Sequence, residues 1–362
     1  MKIAIIGTRG IPNNYGGFEQ FAEKFSIFTA NLGHDVTVYT SSAHPYKNDF
    51  YQGVKLVRCF DPSNHLGSFG QFIYDFFCIV NTRKGEYDII LQLGYTSSAI
   101  WGFLLPKNAV IITNMDGLEW QRSKYNKLTR LFLRFSEILV IKFSDKLIAD
   151  STEIQSDLRK RQGVNSYYIS YGATPFSTPN FNLLESFRLE QFKYNILICR
   201  PEPENNVKLI LDAVVKSLGS YLTIIIGDFS KNEFGRKLIR KYSQEDNIRF
   251  LGPIFNEEIL NNLRYFSNLY FHGHSVGGTN PSLLEAIACK SLILAHRNPF
   301  NKAVLKSNGF YFSTSNELQE LIRKIKKKDF NQKIDAAYLD IKENYNWKKI
   351  NMEYLRLFNE SI

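Results

Sequence analysis

Twice along this chain, short and almost wholly apolar runs alternate with stretches of helical period. The first half offers "KIAIIG", "DVTVYT", "VKLVRCF", "DIILQL", "NAVIIT", "DKLIAD" and "SYYIS". The pattern begins again with "YNILICR" and continues through "YLTIIIGD", "NIRFLGP", "NLYFHG" and "SLILAHR". Runs with no polar face suit strands buried on both sides of a parallel sheet, and the segments between them supply the covering helices. The clearest helix runs from Phe18 to Leu32 and ends on a glycine. The expected fold class is therefore α/β, with two Rossmann-like, doubly wound parallel-sheet domains facing a central cleft. "GATPFSTPNFN" (172–182), rich in Pro, Ser, Thr and Asn, reads as the join. This sets one domain at 1–175 and a second at 183–340. A closing helical segment, 341–362, is expected to pack back toward the first domain.

Hydrophobic residues make up 44% of the 362 and charged ones 22%, which is the balance of a soluble globular chain. The apolar run at the N-terminus is too short for a signal peptide, so the first strand is expected to begin at once. The uncharged stretch from Ile89 to Pro106 is long enough to span a bilayer, but Gln92, Thr96, Ser97, Ser98 and two glycines interrupt it. It reads as strand "IILQL", a turn, and helix "SSAIWGFLL". Four cysteines without CxxC spacing fit a reduced, cytosolic setting.

The net charge of +10 permits nucleic acid, anionic lipid or a phosphorylated substrate as partner. It is concentrated between Trp120 and Lys146, where seven Lys and Arg residues face only Glu137 and Asp145. Leu128, Leu131, Phe132, Phe135 and Leu139 recur among them at helical spacing. Two readings stay open: a core-facing helix with a solvated basic side, or a basic amphipathic helix on an anionic membrane surface. Nucleic acid is not expected, because the aromatics form no RNA-binding signature. "RKIKKKDF" (323–330) reads as a solvated basic turn or face.

Ligands of doubly wound sheets bind beyond the carboxyl ends of strands, so chemistry is expected in the loops there. After the first strand comes "GTRGIPNNYGGFEQ" (7–20), whose glycine spacing is not the GxGxxG of a dinucleotide site. Gly16 and Gly17 at the helix entrance allow close approach of a ligand to the backbone. In "ITNMDGLEWQRSKY" (112–125), Asp116 is either a helix N-cap or a cleft residue. Tyr15, Glu119 and Arg122 are candidates on the acceptor side. In the second half, Arg200 ends a strand in "ICRPEPENN" (198–206). It is suited to a diphosphate at the helix N-terminus opened by "GGTNPSLLE" (277–285), where Gly277, Gly278, Thr279 and Asn280 present backbone N–H groups. Glu285 then suits two vicinal hydroxyls, such as a ribose diol. His272 and His274 read as buried, hydrogen-bonded histidines, not a metal pair.

Taken together, "GGFEQ", "RPEPENN" and "GGTNPSLLEA" resemble the GGxE, Arg-x-x-Pro-Glu-Lys-Gly and Glu-x7-Glu motifs of family 4 glycosyltransferases of the two-Rossmann (GT-B) type. The resemblance covers essentially the whole chain. "IGTRGIPNNYGGFEQFAEK", "TNMDGLEW" and "HGHSVGGTNPSLLEA" resemble, more narrowly, the bacterial rhamnosyltransferases of capsule and cell-wall polysaccharide assembly. Two departures stand out. The family lysine falls on Asn205, with Lys208 one turn on as a candidate substitute, and the first glutamate of Glu-x7-Glu falls on Gly277, which leaves a roomier, less polar pocket compatible with a 6-deoxy sugar such as rhamnose.

The resemblance implies a retaining transfer that needs no metal or other cofactor, and no Asp-x-Asp pair occurs in the sequence. Arg200, Asp116 and Glu285 are then the expected catalytic residues. Gly16, Gly17, Arg200, Asn205, Lys208, Gly277, Gly278, Thr279, Asn280 and Glu285 are expected to bind the donor. The donor expected from the resemblance is dTDP-rhamnose. The acceptor is a glucose or N-acetylglucosamine on a lipid diphosphate, reached by a cytoplasmic protein peripheral to the inner face of the cell membrane. Transfer of another hexose, nucleotide-sugar epimerisation, and an inactive carbohydrate-binding homologue remain as alternatives. The glycine spacing argues against a nicotinamide-dependent dehydrogenase.

Overall fold

The structure, a computed structural model, describes residues 1–362 apart from Tyr15, Ser123, Leu218 and Ser220. The chain divides into two compact units. The first comprises Met1–Gln121, Tyr125–Tyr171 and Trp347–Ile362; the second comprises Arg122–Lys124 and Gly172–Asn346.

The first unit is built on eight strands: β1 (Lys2–Ile6), β2 (Asp35–Ser41), β3 (Phe50–Tyr51), β4 (Val54–Cys59), β5 (Ile89–Leu93), β6 (Val110–Asn114), β7 (Lys146–Ala149) and β8 (Tyr167–Tyr168). Their order in the sheet is β3-β4-β2-β1-β5-β6-β7-β8, parallel throughout except for the β3–β4 pair. Ile3, Ala4, Ile5 and Ile6 of β1 are at most 1% exposed, as a central strand covered on both faces requires. One cover is the helix Gly17–Asn31, which ends where Gly33 adopts φ +86°. Against it lies the last helix of the chain, Trp347–Asn359. Phe21 meets Tyr354 at 4.6 Å between ring centroids and Phe25 meets Phe358 at 5.5 Å. The Asn114 amide donates to the Tyr354 hydroxyl at 2.8 Å, tying this helix to the end of β6.

The second unit carries β9 (Tyr194–Ile198), β10 (Leu222–Ile226), β11 (Ile248–Gly252), β12 (Leu269–His272), β13 (Ile293–His296) and β14 (Phe310–Phe312). All run parallel in the order β11-β10-β9-β12-β13-β14. The direction of winding reverses between β9 and β12, the point at which doubly wound sheets open a crevice for ligands. The same reversal occurs between β1 and β5 in the first unit.

Four local expectations change. "SSAIWGFLL" forms a 3-10 helix, Ala99–Leu104, instead of an α-helix. Gly102 lies so close to the Phe143 ring that a Cβ there would sit 2.5 Å from it, and Pro106 follows. The segment 120–146 is not one helix: a 3-10 turn, Glu119–Gln121, precedes the helix Lys127–Phe143, which Asn126 caps by accepting from Thr129 N at 2.9 Å. This helix turns part of its apolar stripe away from the core. It buries Leu133, Ser136, Glu137 and Val140, while Leu128, Leu131, Phe135 and Ile138 are 79, 66, 52 and 53% exposed. Buried Glu137 is satisfied by Arg161 at 2.8 Å and by the Gln162 amide at 3.0 Å, which is what lets an acid occupy the inner face. Finally, Lys327 of the basic run is buried, its ammonium donating to the Tyr265 carbonyl. Among the described residues, no helix is long and apolar enough to cross a membrane. All four cysteines are free and buried.

Candidate functional site

At the reversal point of the second unit, two loops are laced together. The loop after β9 begins with Arg200, an exposed side chain whose carbonyl accepts from Glu202 N at 2.9 Å and from the Asn205 amide at 2.8 Å. Asn206 then enters the left-handed region, φ 50°, which asparagine tolerates better than most residues, and donates its amide to the Gly273 carbonyl at 2.8 Å. The loop after β12 returns the contact. Ser275 donates both its backbone N–H (3.0 Å) and its hydroxyl (2.8 Å) to the Glu204 carbonyl. Gly273 packs directly on the other loop, where a Cβ would fall 2.0 Å from the Asn205 carbonyl. A third loop, after β13, adds the Asn298 and Asn301 amides, which donate to the His274 carbonyl at 2.9 and 3.0 Å. The backbone around Arg200 and residues 273–280 is thus held by side chains from three strand ends.

Gly277 and Asn280 open the helix Pro281–Ala288. Gly277 stands at φ +134° with nothing within 4 Å of a Cβ built there. Its identity is therefore explained by the backbone alone, because a side chain would fit the space but not the dihedral. That removes Gly277 as evidence for a deoxy sugar. Asn280 caps the helix, its carbonyl oxygen accepting from the Ser282 backbone at 3.0 Å and the Ser282 hydroxyl at 2.8 Å. Thr279 is buried and Gly278 half-buried beside it. Glu285 follows one turn later, and Arg264, buried on the preceding helix, donates Nη2 to its Oε2 at 2.5 Å. No spacing in the sequence announces that pair.

Three expected site residues are placed differently. Asn205 is buried and turned into its own loop, where its amide holds the Arg200 carbonyl. It organises the turn and offers no cation. Lys208 is ion-paired to Asp212 at 2.7 Å; Asp212 in turn accepts from the Tyr242 hydroxyl (2.6 Å) and from Lys241 (2.9 Å) on the helix Glu233–Tyr242. That network draws the Lys208 ammonium along its own helix toward its neighbour. Arg122, expected on the acceptor side, belongs to the second unit, with Nη1 3.6 Å from Glu204 Oε1. Lys124 makes a similar pair with Glu202 at 3.9 Å.

His272 and His274 stack with ring centroids 4.5 Å apart and 16° between planes. Both ring nitrogens of His272, and Nδ1 of His274, are buried with no hydrogen-bond partner among the described residues, so the expectation of hydrogen-bonded rings fails. Burial, then the charges of Arg200 and Arg122, pushes the His274 imidazole down to about 3. Burial, then His274 and His296, lowers His272 well below the ordinary range. Two neutral imidazoles therefore back the loop that carries Arg200's neighbours.

In the first unit, the loop after β1 is anchored by Glu19, which sequence reasoning did not single out beyond its place in "GGFEQ". Its Oε1 accepts from Arg9 N at 2.8 Å and from the Thr8 hydroxyl at 3.3 Å. Gly16, in extended backbone, lies against the same carboxylate, with a Cβ 3.3 Å from Oε2. Gly17 is the first residue of the helix, and Tyr15 lies outside the described residues. Asp116, just past β6, takes φ 53° and receives no helix; its N–H donates to Asn114 Oδ1 at 3.0 Å. The N-cap reading is excluded. A non-glycine residue held at positive φ beyond a strand end is the kind of strain that clusters at functional sites. Burial, then Asp116 with Asp150, Tyr354 and Glu19, raises the Tyr171 phenol. Glu119 is buried in the turn that follows. Among the described residues, no three His, Cys, Asp or Glu side chains converge as a metal site needs.

Comparison with known proteins agrees with this architecture. Residues 185–344 match the family of glycosyl transferases group 1, and residues 1–174 match a domain of unknown function, DUF1972. An uncharacterized glycosyltransferase of Methanocaldococcus jannaschii, MJ1069, is 26% identical over 100% of this chain and 99% of that protein. Among solved structures, sucrose-phosphate synthase from Thermosynechococcus elongatus superposes with a TM-score of 0.81 at 15% identity, covering 99% of this chain and 98% of that one. HepE of Anabaena, solved with UDP and glucose, gives 0.77 at 17% identity over 99% and 100%. The fold is that of the GT-B glycosyltransferases, α/β with two parallel-sheet domains.

Proposed function

The chain carries a group 1 glycosyl transferase domain behind a DUF1972 domain; on that premise we propose a retaining, metal-independent transfer of a sugar from a nucleoside diphosphate. The observation that carries this is the interlocked pair of loops at the β9/β12 reversal, with Arg200 exposed at one end and the capped, glycine-opened helix at the other. Arg200 and the N–H groups of the 277–280 turn hold the diphosphate. Glu285, fixed by Arg264, accepts from the hydroxyls of the nucleoside's sugar, which for a dTDP donor means the 3′-hydroxyl alone. Transfer breaks the bond from the anomeric carbon to the β-phosphate oxygen. The acceptor hydroxyl forms the new bond on the same face of the sugar, and its proton passes to the departing phosphate. Negative charge grows on that phosphate as the bond breaks, and fixed donors aimed at it supply the stabilisation. No side-chain nucleophile takes part.

L-rhamnose from dTDP-rhamnose is the sugar we propose. It rests on the three sequence stretches shared with rhamnosyltransferases, since the conformation of Gly277 no longer speaks for it. The acceptor we propose is a lipid-diphosphate-linked glucose or N-acetylglucosamine, positioned by Asp116 and the Gly16-Gly17 loop of the first unit. Such an acceptor places the protein at the inner face of the cell membrane, with the exposed apolar and basic helix Lys127–Phe143 against the lipid.

A panel of UDP- and dTDP-sugars tests the reading through release of nucleoside diphosphate, with and without a short-chain lipid-diphosphate sugar. Acceptor-dependent release, abolished in Arg200→Ala, is expected. A donor interconverted without release would mean epimerisation, and no turnover of any donor would mean an inactive homologue.

A further inference from the structure

We propose that His274 binds the sugar of the donor, its Nε2–H donating to a hydroxyl oxygen of the group being transferred; the proposal rests on the donor reading above. The strand supplies the first part of the case. Side chains two apart on a strand share a face, so Tyr270 and His272 of β12 point the same way. The 4.5 Å stack of the two imidazoles extends that row to His274, just past the strand's end. At the other end of the row, the Tyr270 hydroxyl donates to the Ser282 carbonyl at 3.4 Å, in the first turn of the helix Pro281–Ala288. The turn 275–280 therefore leaves this row at His274 and comes back to it at Ser282.

The ring nitrogens supply the second part. Both nitrogens of His272 and Nδ1 of His274 are buried without a partner among the described residues, and of the four only Nε2 of His274 escapes burial. A neutral imidazole has one N–H and one lone pair, and the N–H is the costlier to leave buried and unmet. The proton of His274 therefore belongs on Nε2, the outward nitrogen. Burial, then the charges of Arg200 and Arg122, keeps this ring neutral. Stacking on His272 fixes its plane, and the Asn298 and Asn301 amides fix its backbone through the carbonyl, at 2.9 and 3.0 Å.

Chemistry selects the partner. A phosphate draws on a guanidinium, and Arg200 is near enough for its charge to reach this ring. A sugar carries no charge, and a neutral N–H meets a hydroxyl oxygen without the desolvation that a cation would bring. In a nucleotide sugar the transferred group is joined to the β-phosphate through a single oxygen. A donor beside the phosphate's cation thus stands beside the sugar.

Three full-length proteins test it: wild type, His274→Phe, which keeps a flat ring against His272 without the N–H, and His274→Ala. Affinities for UDP, dTDP, UDP-glucose, UDP-N-acetylglucosamine and dTDP-rhamnose are measured by calorimetry, with thermal melts to follow folding. His274→Phe should bind the nucleotide sugar that wild type binds most tightly about 10-fold more weakly, the worth of one hydrogen bond. UDP and dTDP, which lack the transferred sugar, should bind within about twofold of wild type, since they lose no hydrogen bond. His274→Ala, which has no ring to misfit, makes the same comparison if His274→Phe fails to fold. Wild-type affinity for that nucleotide sugar in a folded variant overturns the proposal. So does an equal loss for nucleotide sugars and nucleoside diphosphates, which would make His274 a brace for the loop that carries Arg200. A wild-type chain that binds none of the five ligands overturns the donor reading itself, before any variant is compared.

Discussion

Arg264 Nη2 sits 2.5 Å from Glu285 Oε2, a buried guanidinium holding a partly exposed carboxylate at the mouth of the second unit's sheet. The arrangement gives Glu285 two duties, and they separate by substitution. Glu285→Ala strands a buried charge, an event that costs about 3–5 kcal/mol, so a marked drop in melting temperature is expected. Glu285→Gln keeps a carbonyl oxygen for Arg264 but not its counter-charge, and should melt between Glu285→Ala and wild type. Its nucleotide affinity should nevertheless fall by ~10-fold for UDP, because hydrogen bonds to a charged acceptor are worth about 1.5–3 kcal/mol. A dTDP ligand offers a 3′-hydroxyl but no 2′-hydroxyl, so its loss should be smaller. Equal losses for UDP and dTDP would remove Glu285 from the 2′-hydroxyl, and no loss for either would remove it from the ribose.

Lys327 should make stability depend on pH on the alkaline side. Its ammonium is buried between the Phe192 and Tyr265 rings, 5.2 Å from each, and burial pushes it down to about 7 against an ordinary 10.5. Nearby Lys290 lowers it further, while Cys289 raises it. Between those two values the unfolded chain binds a proton that the folded chain has released. Unfolding then takes up a proton, so this group's contribution to stability rises as pH increases from 7 toward 10.5 and is least below 7. Urea melts at pH 7, 8, 9 and 10 should show the rise in wild type and a flatter profile in Lys327→Met. Identical slopes in the two proteins would show that Lys327 does not titrate in this window.

The helix Lys127–Phe143 should bind anionic lipid through its outward apolar stripe. Leu128, Leu131, Phe135 and Ile138 share one exposed face, and Lys127, Arg134 and Lys142 are exposed around it without an exposed acid on the helix. Flotation with phosphatidylglycerol-containing vesicles should carry the full chain upward, and neutral vesicles should carry much less. Replacing the four apolar residues by serine leaves the buried residues Leu133, Ser136, Glu137 and Val140 in place and should abolish flotation while sparing UDP binding. Unchanged flotation of that variant would refute the stripe as the lipid surface, as would self-association of wild type that hides it.

Both sheets were readable because a parallel strand buried on two faces must be apolar along its length, and that pattern does not depend on distant residues. β3 and β14 were missed because they are two- and three-residue strands at sheet edges, too short to show any period. Which way the apolar stripe of 127–143 faces stayed open for another reason. Helical spacing reveals a stripe but not which way it points, and here Glu137, paired with Arg161 24 residues on, turns the polar side inward. At the candidate site, Arg200, Asn280 and Glu285 stood out from their places after strands and at a helix start. Arg264 did not, since it acts through a partner 21 residues away, and Arg122 was read on the acceptor side because its partner Glu204 lies in a distant stretch of chain. Gly277 misled in the opposite sense, a residue whose reason is its dihedral angle being read for the side chain it lacks.

The helix Trp347–Asn359 belongs to the first unit although the whole second unit precedes it in the chain. On the ribosome, which emits the N-terminus first, β1–β8 and the helix Gly17–Asn31 are made long before Tyr354 and Phe358 exist to cover Phe21 and Phe25. The second unit has all its own strands in one run and can close as it emerges. The order of completion is therefore reversed relative to the order of synthesis. The half that is begun first waits, with an aromatic face uncovered, for the last helix to arrive.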